Sequence, residues 1–470
     1  MVPAMVAVAA YARTIGFGFT GLDDRDLVVG DQPFLTQPSS LWRVFAPGRA
    51  YMHVVDAAHG YWRPLVTWTY ALDAQLGGAR PLAYHATNVA LHAAACVLLW
   101  RLLLALELGS LLALAGALVF AVHPALASAV AWVPGRNDAL LGVLVFGALL
   151  AFVRRRPAAH FACFALALLT KETAVALPLV CVLHALLVDR ALARVRWLGL
   201  HALGWTALVA LRLLAHRPAE LHSTLANLPL LLDGLGKLVL PVHLSPLSDA
   251  ADASPWLGVI VVIALVAAAR LVGAARRPIL ILGAATFALF LLPPLLTTGS
   301  LVLDERLYVP AAGIVLAIAE LVRALAPERR IFAAFGAVSI GVLALVTLAF
   351  EGSFRDRRAF ARAAVDGSPH SALAHFCLGQ SEQLDGHDDR ALAEYRAALD
   401  LGSTEVVHND IAVIDMKRAR WPDAERELRE EIAVDPGFAT AWANLAVVLR
   451  HEGRPADADD ADRRALELGR

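Results

Sequence analysis

Long blocks of apolar residues alternate with short polar connectors over the first three quarters of the chain. The blocks are about 15–22 residues long, close to the length that a helix needs to cross a bilayer. The pattern predicts eleven membrane helices, at residues 3–19, 83–104, 110–124, 138–153, 158–170, 173–189, 197–214, 256–272, 278–297, 306–324 and 331–350. A further apolar stretch at 227–244 contains Gly, Pro, Asp and Lys, which favours an interfacial or re-entrant segment.

After residue 351 the chain becomes polar, and its helical pattern repeats. Ala391, Ala424 and Ala458 recur at separations of 33 and 34 residues, each after a pair that ends in Gly or Ala. This period and these small residues are typical of tetratricopeptide repeats, in which the two helices of a unit cross closely. The repeats either present a concave surface to a peptide or partner protein, or only stabilise the protein.

The two patterns together predict an all-α protein. A polytopic membrane bundle of about eleven spans is followed by a soluble α-solenoid of tetratricopeptide repeats. We divide the chain into a transmembrane domain at 1–351, a linker at 352–371 and a domain of about three repeats at 372–470. The first apolar block is short for a span, so it is either a marginal membrane helix or preceded by further residues.

Composition agrees with a membrane protein. Hydrophobic residues make up 58% of the chain and charged residues 18%, with a mean hydropathy of +0.60. These values exclude an ordinary soluble enzyme over most of the length. The formal net charge of −1 provides no basic field, so we expect no nucleic-acid partner. The four cysteines form no CxxC motif, so neither a disulfide framework nor a zinc site is predicted.

The charges of the short connectors predict the orientation. Short basic loops stay in the cytoplasm. Four connectors are basic, at Arg154–Arg156, at Arg190, Arg194 and Arg196, at Arg270, Arg276 and Arg277, and at Arg323, Arg329 and Arg330. Eleven spans with a cytoplasmic N-terminus place all four on one side. The intervening polar segments and the repeats then face outward, as expected for a protein of the bacterial cytoplasmic membrane.

The first outward loop carries a pair of acids, Asp23 and Asp24, a few residues after the first apolar block. Carboxylates close to a membrane are costly, which makes them candidates for a functional site. Paired acids at low dielectric raise the pKa of one member, which suits a general base near neutral pH. The alternative is a solvated and inert acidic turn.

The other outward segments contribute further polar residues. His85, Asn88 and His92 share one face of a predicted helix, where they either line a cavity or join helices by hydrogen bonds. Adjacent Lys171 and Glu172 form either a local ion pair or half of an anion site. Arginine binds phosphate by paired hydrogen bonds and lysine binds it as a point charge. The candidate phosphate ligands are Arg306, Lys171, Arg136 and Arg63. The candidate cavity residues are His85, Asn88, His92, His123, Asp138, Glu172, Glu305 and Tyr308.

These polar groups converge on one leaflet, which favours an enzyme that takes a lipid-borne substrate from the bilayer. A transporter would place its charges near mid-membrane or on both faces. A membrane-anchored scaffold that acts only through its repeats would need no such convergence. These two alternatives stay open.

The order of the motifs resembles a known family. An Asp-Asp loop is followed by YWRPL, a Tyr-His-x-x-Asn-x-x-x-His helix, FAVHP with WVPGRNDALL, LLTKETAVALPL, DERLYVPAAG and the repeats. The chain is therefore similar to the transmembrane and tetratricopeptide repeat-containing glycosyltransferases, an O-mannosyltransferase-like branch of the GT-C superfamily. The resemblance extends over nearly the whole chain.

The resemblance implies transfer of a sugar such as mannose from a polyprenyl-phosphate carrier to a hydroxyl, commonly on a protein. It places catalysis on Asp23 and Asp24, one as the base and the other orienting the base or the acceptor. A single displacement would invert the sugar. The chain departs from the family where Ser128 and Leu126 follow His123-Pro124, since the family usually has an acid and a histidine there. No cofactor is firmly implied, and a divalent metal is possible but unsupported.

Overall fold

The computed structural model of the protein describes residues 1–46, 62–192, 195–215, 227–274, 276–297, 304–325, 329–403 and 406–469. Over these ranges the chain is helical and contains no β-strand, which confirms the predicted all-α class. It divides into two compact units, Met1–Phe360 and Ala361–Arg470. The boundary lies inside the segment predicted to be the linker.

The helices of the first unit follow the apolar blocks. Several begin at a proline, which is suited to a first turn because its missing N–H would have no partner there. The helices are α1 Val2–Tyr11, α2 Gln32–Leu35, α3 Ser40–Arg43, α4 Pro64–Gly77, α5 Pro81–Ala105, α6 Ser110–Ala121, α7 Ala127–Ala131, α8 Arg136–Val153, α9 Pro157–Leu168, α10 Leu177–Leu187, α11 Val195–Ala215, α12 Leu228–Val239, α13 Pro255–Leu271, α14 Arg277–Thr297, α15 Tyr308–Leu325 and α16 Arg329–Phe350. Helix α17, Arg357–Gly367, crosses the boundary between the two units.

Each of the eleven predicted membrane segments coincides with a helix, but their lengths differ. Five described helices are long and apolar enough to span a membrane, and a sixth is added if Ser110–Ala121 and Pro124–Ala131, bent by 57°, form one broken span. The other apolar helices are 10–17 residues long over the described ranges. The protein is therefore a multi-pass membrane protein, while the count of eleven spans stays a prediction.

Helix α8 lies at the centre of the first unit and is buried over almost its whole length. It packs against α5, α9 and α15. Gly142 allows α8 and α15 to approach closely, because a Cβ at this position would lie 2.5 Å from Cε1 of Tyr308. The apolar stretch at 227–244 forms the short helix α12, which packs against α13.

Over its described residues, the second unit contains three pairs of helices that pack against each other. Their helices are α18 Ala372–Leu384, α19 Asp388–Asp400, α20 Val407–Lys417, α21 Trp421–Val434, α22 Ala439–His451 and α23 Pro455–Leu468. The repeated alanines Ala391, Ala424 and Ala458 are fully buried in these pairs. A Cβ on Gly379 would lie 2.5 Å from the ring of Tyr395, so the small residue is required where α18 meets α19.

We expect Gly142→Ala to destabilise the first unit by about 1–3 kcal/mol, because Tyr308 must move to admit the methyl group. Gly147→Ala in the same helix is the matched control, since its Cβ would meet only Cys163 Sγ at 3.4 Å. Thermal unfolding of the two detergent-solubilised variants measures the difference. Equal stability would show that α8 and α15 do not depend on this close approach.

Candidate active site

The acid pair lies in a turn formed by residues 17–24, which we call the acid turn. Asp24 is fully buried, and its Oδ2 accepts hydrogen bonds from the backbone N–H and the hydroxyl of Thr20, both at 2.6 Å. Burial raises the pKa of Asp24 to about 6, against the opposing effect of hydrogen bonds from Thr20 and Gly21. Asp23 is only half-buried. The two carboxylates therefore differ in access, although they are neighbours in sequence.

Side chains from α5 and the α7–α8 connection fix the acid turn. Nε2 of His85 lies 3.2 Å from the carbonyl oxygen of Gly18. Nε1 of Trp132 donates to the hydroxyl oxygen of Thr20 at 3.0 Å, and that hydroxyl in turn donates to Asp24. The turn is thus held by a chain of hydrogen bonds that ends on the buried carboxylate.

A second group of charged residues surrounds Lys171, where the chain enters the apolar segment before α10. Nζ of Lys171 donates to both carboxylate oxygens of Asp138, at 2.6 and 2.8 Å. Burial lowers the pKa of Lys171, Asp138 opposes this, and nearby Arg63 and Arg306 lower it further. Of the predicted cations, Arg63 and Arg306 thus act electrostatically on Lys171.

Glu172 does not pair with its neighbour Lys171. Its carboxylate is 3.1 Å from Nη2 of Arg63 and 3.2 Å from Nη2 of Arg212. The guanidinium of Arg212 also lies 5.0 Å from the ring centroid of Trp62. We call Arg63, Lys171, Arg212 and Arg306 the cation cluster.

Carboxylates are interleaved with these cations. Glu305 is almost fully buried and interacts electrostatically with Asp138, Lys171 and Arg306. Four cations thus lie among three carboxylates, those of Asp138, Glu172 and Glu305. Such a site can accept a phosphate while the buried charges stay paired.

Arg136 occupies a different place. Its guanidinium is fully buried, lies 2.6 Å from Asp73, and donates to Oδ1 of Asn88 and to the carbonyl oxygen of Tyr84, both at 2.7 Å. It also donates to Thr69 at 3.1 Å. Protein groups surround this guanidinium, so the structure argues against the prediction that Arg136 binds phosphate.

The polar face of α5 forms helix contacts. Nδ1 of His92 lies 2.7 Å from the hydroxyl of Tyr308, and Nδ2 of Asn88 donates to the carbonyl oxygen of Trp132 at 2.9 Å. Nε2 of His123 lies 3.0 Å from the carbonyl oxygen of Leu238. All four side chains, like His85, are buried. These hydrogen bonds favour the alternative in which the polar groups join parts of the protein, against the prediction that His85, Asn88, His92, His123 and Tyr308 line a substrate cavity.

The segment from Trp132 to Asp138 contacts both the acid turn and the cation cluster. Trp132 contacts Thr20 of the turn, and Asp138, six residues later, holds Lys171 of the cluster. Ser128, at the position where the family usually has an acid, is fully buried in the preceding helix α7. Tyr61 of the YWRPL motif and residues 298–303 lie outside the described residues.

The sequence reasoning missed several buried charges. Nζ of Lys237 is 2.8 Å from Asp304 and 3.2 Å from Asp233. Burial opposes the charge on Lys237, but the two carboxylates raise its pKa. Asp73 and Arg212 were missed as well. A charged residue inside an apolar stretch was the available signal, because its cost demands a partner. Within the described ranges, no group of three His, Cys, Asp or Glu side chains could hold a metal ion.

The relatives of this chain carry a common name. Protein O-mannosyl-transferase Tmtc1 of Drosophila melanogaster is 36% identical over 191 residues, which are 37% of this chain and 21% of that protein. Protein O-mannosyl-transferase TMTC2 of Mus musculus is 30% identical over 158 residues, covering 33% of this chain and 18% of that protein. TMTC3 of the same species is 32% identical over 101 residues, covering 22% of this chain and 11% of that protein.

The resemblance to the O-mannosyl-transferases is confirmed. The matched part spans about a fifth of the length of these relatives. No family model matches the chain. The crystal structure of MamA covers 33% of this chain at 16% identity, and its TM-score of 0.23 is too low to bear on the fold.

The burial of Asp24 predicts how stability depends on pH. Its folded-state pKa of about 6 exceeds the unfolded value of 3.8, so this group lowers stability progressively as the pH rises from about 4 to about 6. Above that range the full penalty, roughly 3 kcal/mol, is present. We therefore expect Asp24→Asn to gain stability over the wild type at pH 7 but not at pH 4. A constant difference in melting temperature between the two proteins across this range would contradict the assignment.

Arg136→Lys is expected to destabilise the first unit by at least about 2 kcal/mol, because an ammonium group cannot reproduce the planar fork that serves four partners. Arg101→Lys, at an exposed position of α5, is the control and should leave stability unchanged. Thermal unfolding in detergent measures both variants. If both melt like the wild type, Arg136 does not hold α4, α5 and α8 together.

Proposed function

We propose that the protein is an integral-membrane glycosyltransferase. It moves a mannose-like sugar from a polyprenyl-phosphate carrier to an acceptor hydroxyl on a protein, on the extracytoplasmic face of a bacterial cytoplasmic membrane. The observation that carries the proposal is the acid turn, in which hydrogen bonds hold the buried carboxylate of Asp24 next to the half-buried Asp23. The names of the relatives support mannose as the sugar and protein as the acceptor.

Asp23 is the proposed catalytic base. It is the member of the acid pair that retains exposure, whereas Asp24 is fully buried and engaged with Thr20. A base must come within hydrogen-bond reach of the proton that it removes. Asp24 therefore acts as a positioning residue, which fixes the turn that carries Asp23.

The proposed reaction is a single displacement. Asp23 removes the proton of the acceptor hydroxyl as its oxygen forms a bond to C1 of the sugar. The bond from C1 to the phosphate oxygen breaks, and the lipid phosphate leaves with the electron pair. Attack opposite to the leaving group inverts the configuration at C1.

The cation cluster is the proposed site for the lipid phosphate. Arg63 and Arg306 both lie close enough to Lys171 to lower its pKa. An ammonium group has three donors, so Lys171 has one left after its two hydrogen bonds to Asp138. Charge placed beforehand where the leaving phosphate gains charge lowers the barrier without a general acid.

The repeats are the proposed binding surface for the polypeptide acceptor or a partner protein. Three helix pairs reach the minimum for a stable stack. The alternatives are a non-catalytic scaffold and a transporter of a lipid-linked sugar. Neither of these would move labelled sugar to an acceptor.

The test is Asp23→Asn in the full-length protein. We expect a loss of transfer of at least about a hundredfold, because the amide cannot accept the proton of the acceptor. The assay follows labelled mannose from polyprenyl-phosphate mannose into the proteins of membranes that contain the variant. Asp26→Asn is the matched control, as a half-buried acid three residues later, and it should transfer at the wild-type rate. Size-exclusion chromatography confirms equal amounts of folded protein.

Wild-type rates in Asp23→Asn would exclude this residue as the base. If the wild type itself transfers no labelled sugar from any polyprenyl-phosphate donor, the scaffold or transporter alternative replaces the proposal.

A further inference from the structure

The segment that follows the last apolar helix lies against the acid turn. It comprises residues 351–360, and we call it the strap. It begins with a short 3₁₀-helix, Glu351–Phe354, and enters α17 at Arg357. The strap is also the stretch of chain that leads into the repeats. Neither the proposed reaction nor the sequence patterns assign it a role.

Backbone contacts join the strap to the acid turn. The N–H of Gly18 donates to the carbonyl oxygen of Arg355 at 2.8 Å. Gly21 has φ +83°, a conformation that favours glycine, and a Cβ there would lie 3.1 Å from the side chain of Arg357. The turn thus lies against the strap at two points, at Gly18 and at Gly21, on either side of Thr20.

Aromatic rings provide a second connection. The ring of Phe360 lies 5.7 Å from that of Trp132 and 5.9 Å from that of Phe354. Phe354 and Phe360 are almost completely buried. Because Trp132 donates to Thr20, which donates to Asp24, the contacts form one path from the strap to the buried carboxylate.

The start of the strap is itself anchored. The carboxylate of Glu351 is fully buried and forms an ion pair with Arg13, which follows α1 and precedes the acid turn. The guanidinium of Arg13 also donates to the carbonyl oxygen of Leu348. The strap therefore cannot shift independently of the chain on the other side of the turn.

We propose that the strap is a positioning element for the reaction, and that Phe360 fixes the acid turn by holding the indole of Trp132. The inference rests on the proposed function, because it assigns the strap to the step in which Asp23 acts. Phe360 does not touch the substrate in this proposal. Its effect reaches the reaction through Trp132, Thr20 and Asp24.

A positioning role has a kinetic signature that simple packing lacks. A base displaced by a fraction of an ångström loses rate, whereas donor binding at the cation cluster is unaffected. The variant should therefore lower kcat and leave KM for the polyprenyl-phosphate sugar unchanged. A loosened acid turn should also expose the bond after Arg25, an exposed residue next to Asp24.

The test compares Phe360→Ala, Phe360→Leu and the control Phe335→Ala in the full-length protein. Phe335 is 73% exposed on α16 and provides the same chemical change away from the turn. We expect Phe360→Ala to lower kcat about ten- to a hundredfold with KM within twofold of the wild type. Trypsin should release the fragment that ends at Arg25 faster from this variant. Phe360→Leu should recover most of both properties, and Phe335→Ala should match the wild type.

Two results overturn the inference. One is a Phe360→Ala variant with wild-type kcat and wild-type resistance at Arg25. The other is equal damage in Phe335→Ala, which would indicate a general loss of stability. If Phe360→Ala does not fold, Trp132→Phe decides, because it keeps an aromatic ring at this position and removes the indole N–H that donates to Thr20. Its kcat must then fall, and an unchanged kcat rejects the path.

The failure of the proposed function is distinguishable from the failure of this inference. If Asp23→Asn is active, Asp23 is not the catalytic base. The resistance of the bond after Arg25 to trypsin still reports whether the strap holds the turn. If Asp23→Asn is inactive and Phe360→Ala is fully active, the role of the strap is rejected and the proposed function is kept.

Discussion

A charge buried in a helix bundle costs several kcal/mol unless an opposite charge lies beside it, and much of the first unit is arranged around this constraint. Arg136 meets Asp73, Lys171 meets Asp138, and Lys237 meets Asp304. Each pair joins segments that are distant in sequence. The pairs therefore fix which helices are neighbours, while the apolar surfaces around them supply the packing.

The cation cluster shows how the same constraint can leave a site available for a ligand. Arg63, Lys171 and Arg212 each pair with a carboxylate, so these three charges keep a partner when no ligand is bound. The pairs at Glu172 are only partly buried, and Arg306 is half-buried. An anion can therefore approach the cluster, and the fully buried ion pairs elsewhere in the first unit need not break.

The acid turn follows another rule. Asp24 is buried beside hydroxyl and backbone donors, and burial dominates the resulting shift of its pKa. Its charge destabilises the fold at neutral pH, as is common where structure serves a site. The surrounding contacts of His85, Trp132 and the strap hold the turn in place despite this penalty.

The sequence by itself determined where the helices lie, because apolar blocks and the repeat of small residues are local patterns. It also predicted Asp23, Asp24, Lys171 and Arg306 as candidate residues of a functional site. The tertiary structure alone decided their partners. Lys171 binds Asp138, 33 residues away, and not its neighbour Glu172. The polar side chains of α5 are buried and bind backbone carbonyl groups. The physical reason is that helical periodicity fixes the face on which a side chain lies, whereas the packing of the helices fixes what that face meets.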